Sequence, residues 1–314
     1  MIIDDHAYWD AGHMSLDELQ RQILSHGLTG VILSPPCTQV YEPDKSAFMY
    51  AVQRILLRND VLRPMAELVS RSFYNGNGHL RPFWRLFTKN AQPIHKVIVP
   101  DNKGLLAAIA PFDNLYAWCW VNPRFMPPGE QIKSEISHPQ VVGLKLHAYW
   151  HGFGVPEARP IFALAAEIGL PVYLLLGFGW VPSAIDLLGE FPSVNVIFGY
   201  GGFPYFDKLW KLIKPSKNAH VDFASLHIDQ SGISTAIRAL GPERCLYGSD
   251  CPYNFKDEKA HFDYSKSIER ITRLALGSEA LDLILRRNAE RLLFGENLRG
   301  RVRSDRREYP GSPE

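Results

Sequence analysis

The residues best placed to do chemistry sit at the ends of short apolar runs. Asp250 is the clearest. It closes Arg244-Cys245-Leu246-Tyr247-Gly248-Ser249-Asp250-Cys251-Pro252-Tyr253, an apolar strand running into a Gly-Ser-Asp turn. Side chains alternate along a strand, so Leu246, Gly248 and Asp250 share one face. A carboxylate at the mouth of a buried strand is costly unless it is paired or used. It suits general acid–base work, or capping of the turn that follows. Other runs end in comparable groups. Asp4-Asp5-His6-Ala7-Tyr8 puts Asp4, His6 and Tyr8 on one face, and Gly143-Leu144-Lys145-Leu146-His147 does the same for Lys145 and His147. Tyr173 shares a face with Leu175, Tyr200 precedes Gly201-Gly202, and Arg124 follows Val121-Asn122-Pro123. A lysine close to two histidines and an aspartate shifts their pKa values into the useful range.

These groups meet only if the runs lie side by side. The sequence predicts strands over 2–6, 30–34, 116–121, 141–147, 171–176, 195–199, 220–223 and 245–247. Between them the apolar spacing predicts helices over 16–25, 105–110, 131–136, 161–168, 183–190, 206–213 and 233–240, and the stretch 268–294 reads as helical. Strands alternating with helices eight times predict a (β/α)8 barrel, whose chemistry sits at the C-terminal ends of the strands. A doubly wound open sheet is the alternative, but no GxGxxG follows the first strand. The segment of about 37–101 breaks the rhythm. It holds one helical pattern from Ala47 into the Arg63 region and the aromatic stretch Phe83-Trp84-Arg85-Leu86-Phe87, which predicts a packed helical insertion over the barrel mouth. The barrel is expected to span 1–298, followed by an Arg-rich tail over 299–314 that is mobile or reaches a second subunit, so a homodimer stays open.

The totals exclude several functions. The 314 residues carry 34 Lys plus Arg against 33 Asp plus Glu, a net charge of +1 that offers no general attraction to nucleic acid or an anionic membrane. Four cysteines without a CxxC pair argue against a zinc ribbon or disulfide scaffold and suit a reducing cytoplasm. The amino-terminal segment reads as a strand rather than a signal peptide, and no stretch approaches a membrane span. The expected partner is a small molecule.

The wording of the strand ends resembles the amidohydrolase superfamily, in its branch with amino-carboxymuconate-semialdehyde decarboxylase, resorcylate decarboxylase and pyrone-dicarboxylate lactonase. Ile3-Asp4-Asp5-His6-Ala7-Tyr8 resembles that family's strand-one Asp-x-His-x-His, and Gly143-Leu144-Lys145 its strand-four Gly-x-Lys. Tyr247-Gly248-Ser249-Asp250-Cys251-Pro252 resembles its strand-eight Gly-Ser-Asp-x-Pro, and Asn288-Ala289-Glu290-Arg291-Leu292-Leu293-Phe294-Gly295 its final helix.

The resemblance implies a hydrolase or a decarboxylase-type carbon–carbon lyase acting on a small cyclic or aromatic acid. This chain departs from the family where a metal would bind. Tyr8, Leu175 and Tyr200 stand at three histidine positions, leaving His6 and Asp250. A catalytic zinc wants three protein ligands, and a neutral phenol is a poor one. The expectation is therefore metal-independent acid–base catalysis without a cofactor. Asp250 would be the base, His6 would relay its proton, and Tyr8 and Tyr200 would donate to an oxyanion. Lys145, His147, Arg124 and Tyr173 would hold a carboxylated substrate. A catalytically inactive binding protein, and a metalloenzyme rebuilt on His6 and Asp250, remain alternatives.

Overall fold

A computed structural model describes residues 1–36, 47–59, 61–72, 97–258 and 261–295. Eight parallel strands form one sheet in consecutive order: β1 (Ile2–Tyr8), β2 (Leu28–Ser34), β3 (Leu115–Val121), β4 (Val141–His147), β5 (Val172–Leu175), β6 (Val196–Phe198), β7 (Ala219–Asp222) and β8 (Cys245–Leu246). Backbone bonds bring β8 back to β1, from Asp5 N–H to Tyr247 C=O at 2.9 Å and from Asp250 N–H to His6 C=O at 2.9 Å. The chain is a (β/α)8 barrel, as its rhythm predicts.

The helices form where the sequence supplies caps and an apolar stripe. In α1 (Leu16–His26), Ser15 accepts the N–H of Glu18, Leu19 and Ile23 are buried against the sheet, and Gly27 ends the helix at φ +67°. That conformation is nearly free for glycine alone. The helical pattern from Ala47 resolves into two helices, α2 (Ala47–Arg58) and α3 (Arg63–Ser72). Asn59 parts them by accepting the N–H groups of Val61 and Leu62 with its side chain. The helix expected from 161 begins earlier, at Val155, because Pro156 occupies its first turn, where the missing N–H costs nothing. The stretch 268–294 is likewise broken, with helices over Tyr264–Thr272, Ser278–Asp282 and Asn288–Leu293 and a π-turn between the last two.

The described ends of the insertion lie on loops that leave the C-terminal ends of the strands. Arg54 donates to the Leu226 carbonyl at 2.7 Å, and the Arg58 guanidinium lies 5.4 Å from the centre of the Phe206 ring. These loops follow β7 and β6. At the other end, Asn122 after β3 donates to the Ile98 carbonyl, and a ring nitrogen of His151 after β4 lies 3.0 Å from that of Val97. The aromatic stretch Phe83 to Phe87 and the tail 299–314 lie outside the described residues.

Candidate active site

The first side chains of the site are set by an irregularity in β1. Asp4 pairs with Val31 and Ala7 with Leu33, so three steps on β1 face two on β2. A bulge of this kind re-aims the side chains beside it. The expected common face of Asp4, His6 and Tyr8 is therefore corrected. Asp4 turns to the outer side, where its carboxylate accepts the Ser249 N–H at 2.9 Å, the Ser249 hydroxyl and the Tyr264 hydroxyl at 2.7 Å. Asp5 turns inward in its place. His6 and Tyr8 also face the interior, and both are buried.

His6 is held on all sides. Its ring stacks on Tyr173 with centroids 4.4 Å apart and planes 5° from parallel, and the edges of Tyr8 and Tyr200 close it in. Its Nε2 lies 2.8 Å from Lys145 Nζ. Lys145 is fully buried, donates to Ser34 Oγ at 3.0 Å, and sits 3.9 Å from the Tyr8 ring centre and 4.7 Å from that of Trp120. Burial and the nearby ammonium drive the His6 titration well below the ordinary histidine value.

Asp250 stands beside this pair. Its Oδ1 lies 3.7 Å from His6 Nδ1 and accepts the Tyr200 hydroxyl at 2.7 Å, while its Oδ2 accepts from Asn254. Burial pushes its titration up to about 7, against the opposing pull of Tyr200 and Lys145. Asp250, Tyr200 and Ser225 have φ of 62°, 55° and 68°. Non-glycine residues in that region carry strain of order 1 kcal/mol or more, and such strain gathers at functional sites. Phe206 and Phe255 share the region at 47° and 55°, and the other three, Asp250 among them, stand just past β6, β7 and β8.

One layer deeper lies a second carboxyl group pair. A Cβ on Gly248 would stand 2.8 Å from both Asp222 Oδ2 and Asp5 Oδ1, so only a glycine fits between them. Asp222 accepts the Tyr173 hydroxyl at 3.0 Å and the Tyr200 N–H, whereas Asp5 makes no side-chain hydrogen bond among the described residues. Burial and the Asp222 charge push the Asp5 titration well up, and burial also raises that of Asp222. Two carboxyls this close in a dry interior do not both ionise at neutral pH.

The structure thus brings His6, Tyr8, Lys145, Tyr173, Tyr200 and Asp250 together. His147 lies at the rim, stacked on Trp120 at 5.9 Å, with Nδ1 accepting the Trp150 N–H at 3.2 Å. Arg124 does not join them: its half-exposed guanidinium pairs with Glu157 at 3.4 Å. The loop after β3 directs it along the surface instead. Sequence reasoning missed Asp5, Asp222, Ser34, Trp120 and Asn254. Alternation from His220 would have exposed Asp222, and from Ile32 would have exposed Ser34, but no local signal marks the bulge that brings in Asp5.

Against known proteins, residues 96–295 match the amidohydrolase family. The chain belongs to that family. Among solved structures, a protein of Pseudomonas putida assigned as a 2-pyrone-4,6-dicarboxylic acid hydrolase superposes with a TM-score of 0.61 at 16% identity, covering 94% of this chain and 98% of that one. 2,6-Dihydroxybenzoate decarboxylase from Rhizobium gives 0.55 at 15% identity, covering 93% and 98%. 4-Oxalomesaconate hydratase from Rhodopseudomonas palustris gives 0.57 at 14% identity, covering 98% and 99%. At these identities the likeness is one of fold. A search of the curated proteins returned no match.

In this amidohydrolase the donor set does not fit the divalent ion that the resemblance implies. Leu175 has no donor atom, Tyr8 and Tyr200 are phenols, and His6 Nε2 faces the Lys145 ammonium at 2.8 Å, which leaves His6 Nδ1 and Asp250 as two donors where a catalytic ion wants three. A metal cation and the Lys145 ammonium cannot share Nε2.

Proposed function

We propose that this amidohydrolase is a hydrolase or carbon–carbon lyase of small cyclic or aromatic carboxylic acids, working by metal-independent acid–base catalysis. The observation that carries this reading is the Asp250 carboxyl. It is buried, its titration is pushed up to about 7, and it is held by Tyr200 and Asn254 with one oxygen 3.7 Å from His6 Nδ1. A group that titrates at about 7 is a competent acid and a competent base at the same pH. As a base it takes a proton from water as the water oxygen adds to an acyl carbon. As an acid it gives a proton to the ring carbon that bears the carboxylate, and the bond to that carboxylate breaks with its electron pair returning to the ring as carbon dioxide leaves. In either direction Tyr8, across His6, supplies a hydroxyl donor for the oxygen that gains charge, the role a metal would otherwise fill, while Tyr200 donates its hydroxyl proton to Asp250 and holds the carboxyl in place.

The rim supports an aromatic or planar substrate. Trp120 stacks on His147, His147 packs against Trp150 and Tyr8 against Tyr253, so the site is walled by aromatic rings, and Tyr200 stacks on His227 at 5.4 Å. The His147 ring, with Nδ1 occupied as an acceptor, carries its proton on Nε2. The insertion over the loops after β6 and β7 would limit water and shape selectivity.

The test is turnover of a panel of cyclic lactones and hydroxylated aromatic acids by the purified chain and by Asp250→Asn. Turnover that the variant loses by 10³-fold or more, of order ~4 kcal/mol of transition-state stabilisation, supports the reading. Binding without turnover in both proteins would point instead to a binding protein that has lost catalysis.

A further inference from the structure

We infer that Lys145 is the resident cation of this site: its ammonium takes the place at His6 Nε2 that a divalent ion would occupy, and it fixes His6 with the ring proton on Nδ1, facing Asp250. The inference rests on the metal-free reading proposed above. It departs from the expectation that Lys145 holds substrate.

The surroundings of Lys145 Nζ carry the assignment. One donor meets His6 Nε2 at 2.8 Å and another meets Ser34 Oγ at 3.0 Å. The remaining side faces the Tyr8 ring at 3.9 Å, with Trp120 at 4.7 Å and Tyr173 at 5.6 Å. An ammonium has three donors and no acceptor, and two of the three are taken up by His6 and Ser34 inside the site. The side chain is also completely buried. Aromatic faces of this kind stabilise a desolvated cation. Tyr8, which replaces a histidine ligand, is the nearest of them. The loss of a metal-binding histidine and the retention of a cation are thus one arrangement.

The consequence for His6 follows from hydrogen-bond direction. An ammonium only donates, so the ring nitrogen facing it must accept. The ring proton then sits on Nδ1, which makes no hydrogen bond among the described residues and lies 3.7 Å from Asp250 Oδ1. Lys145 therefore acts through His6 as a positioning residue. It sets the tautomer of the ring and supplies positive charge from behind it, without touching substrate.

The test needs no substrate, so its failure is separable from failure of the proposed activity. The probe is long-range proton–nitrogen NMR of protein labelled at histidine, with His6 assigned from His6→Gln because the chain has 11 histidines. The wild type is expected to show His6 with Nδ1 protonated and Nε2 bare and hydrogen-bonded. Lys145→Met is expected to move the Nε2 resonance, while Lys145→Arg, which keeps a donor and a charge, restores most of the shift. Excess cobalt(II) is expected to leave the wild-type His6 signals intact. A protonated Nε2 in the wild type, an Nε2 unmoved by Lys145→Met, or selective loss of the His6 signals on adding cobalt would each overturn the inference. If Lys145→Met does not fold, the wild-type tautomer and the cobalt titration still decide it.

Discussion

Replacing Asp250 by Asn should make the protein more stable at alkaline pH while removing its proposed base. Burial moves the Asp250 carboxyl from the ordinary value of 3.8 to about 7. Because the native value lies above the unfolded one, the native state binds more protons between the two. Stability is then fully present below about pH 4 and falls as pH rises through about 7, the reverse of a salt-bridged aspartate. At about 1.4 kcal/mol per pH unit, the ionised native carboxylate carries a penalty of about 4 kcal/mol above neutrality. At about pH 5 the penalty is already about 1.7 kcal/mol, so the advantage of Asp250→Asn should grow by roughly 2–3 kcal/mol between about pH 5 and about pH 8.5. Any mismatch of the new amide with Asn254 is the same at both pH values and drops out of the comparison. Urea unfolding of wild type and variant at the two pH values measures it. A stability difference that does not change with pH would show that Asp250 titrates in its ordinary acidic range, and the acid–base argument built on it would fall.

Other outcomes follow from the same geometry. Tyr200→Phe removes the hydroxyl that donates to Asp250 at 2.7 Å and that lowers its titration. We expect kcat/KM to fall by about 10²-fold and the acid limb of its pH profile to move to higher pH, and an unmoved limb would separate the phenol from the carboxylate. Gly248→Ala would drive a Cβ to within 2.8 Å of Asp5 and Asp222 oxygens. A loss of about 1–3 kcal/mol in urea unfolding is expected, and full stability would refute the close approach. Protein purified without added metal should carry no stoichiometric zinc, manganese or iron, and turnover should survive a strong chelator. One equivalent of metal by elemental analysis, with activity lost on chelation and regained with that ion, would establish a metalloenzyme.

The sequence alone determined the barrel and most of the site. Strand length and the alternation of apolar runs with amphipathic helices are local properties, and they placed eight strand ends before any contact was known. Lys145, His147, Tyr200 and Asp250 were legible for the same reason: a side chain at the end of a regular strand points where the period sends it. The missing histidines at 8, 175 and 200 were legible as residue types. Tertiary structure decided the rest. The bulge in β1 depends on how β1 pairs with β2, and it moved Asp4 out and Asp5 in. The Asp5–Asp222 pair joins the first strand to the seventh across Gly248, just past the eighth. The loop after β3 sent Arg124 to Glu157 instead of the pocket. Above all, a lysine reads the same in sequence whether it meets solvent, substrate or a histidine. Its burial among His6, Ser34, Tyr8 and Trp120 comes from strands one, two, three and four closing on one another, a contact that no single strand encodes.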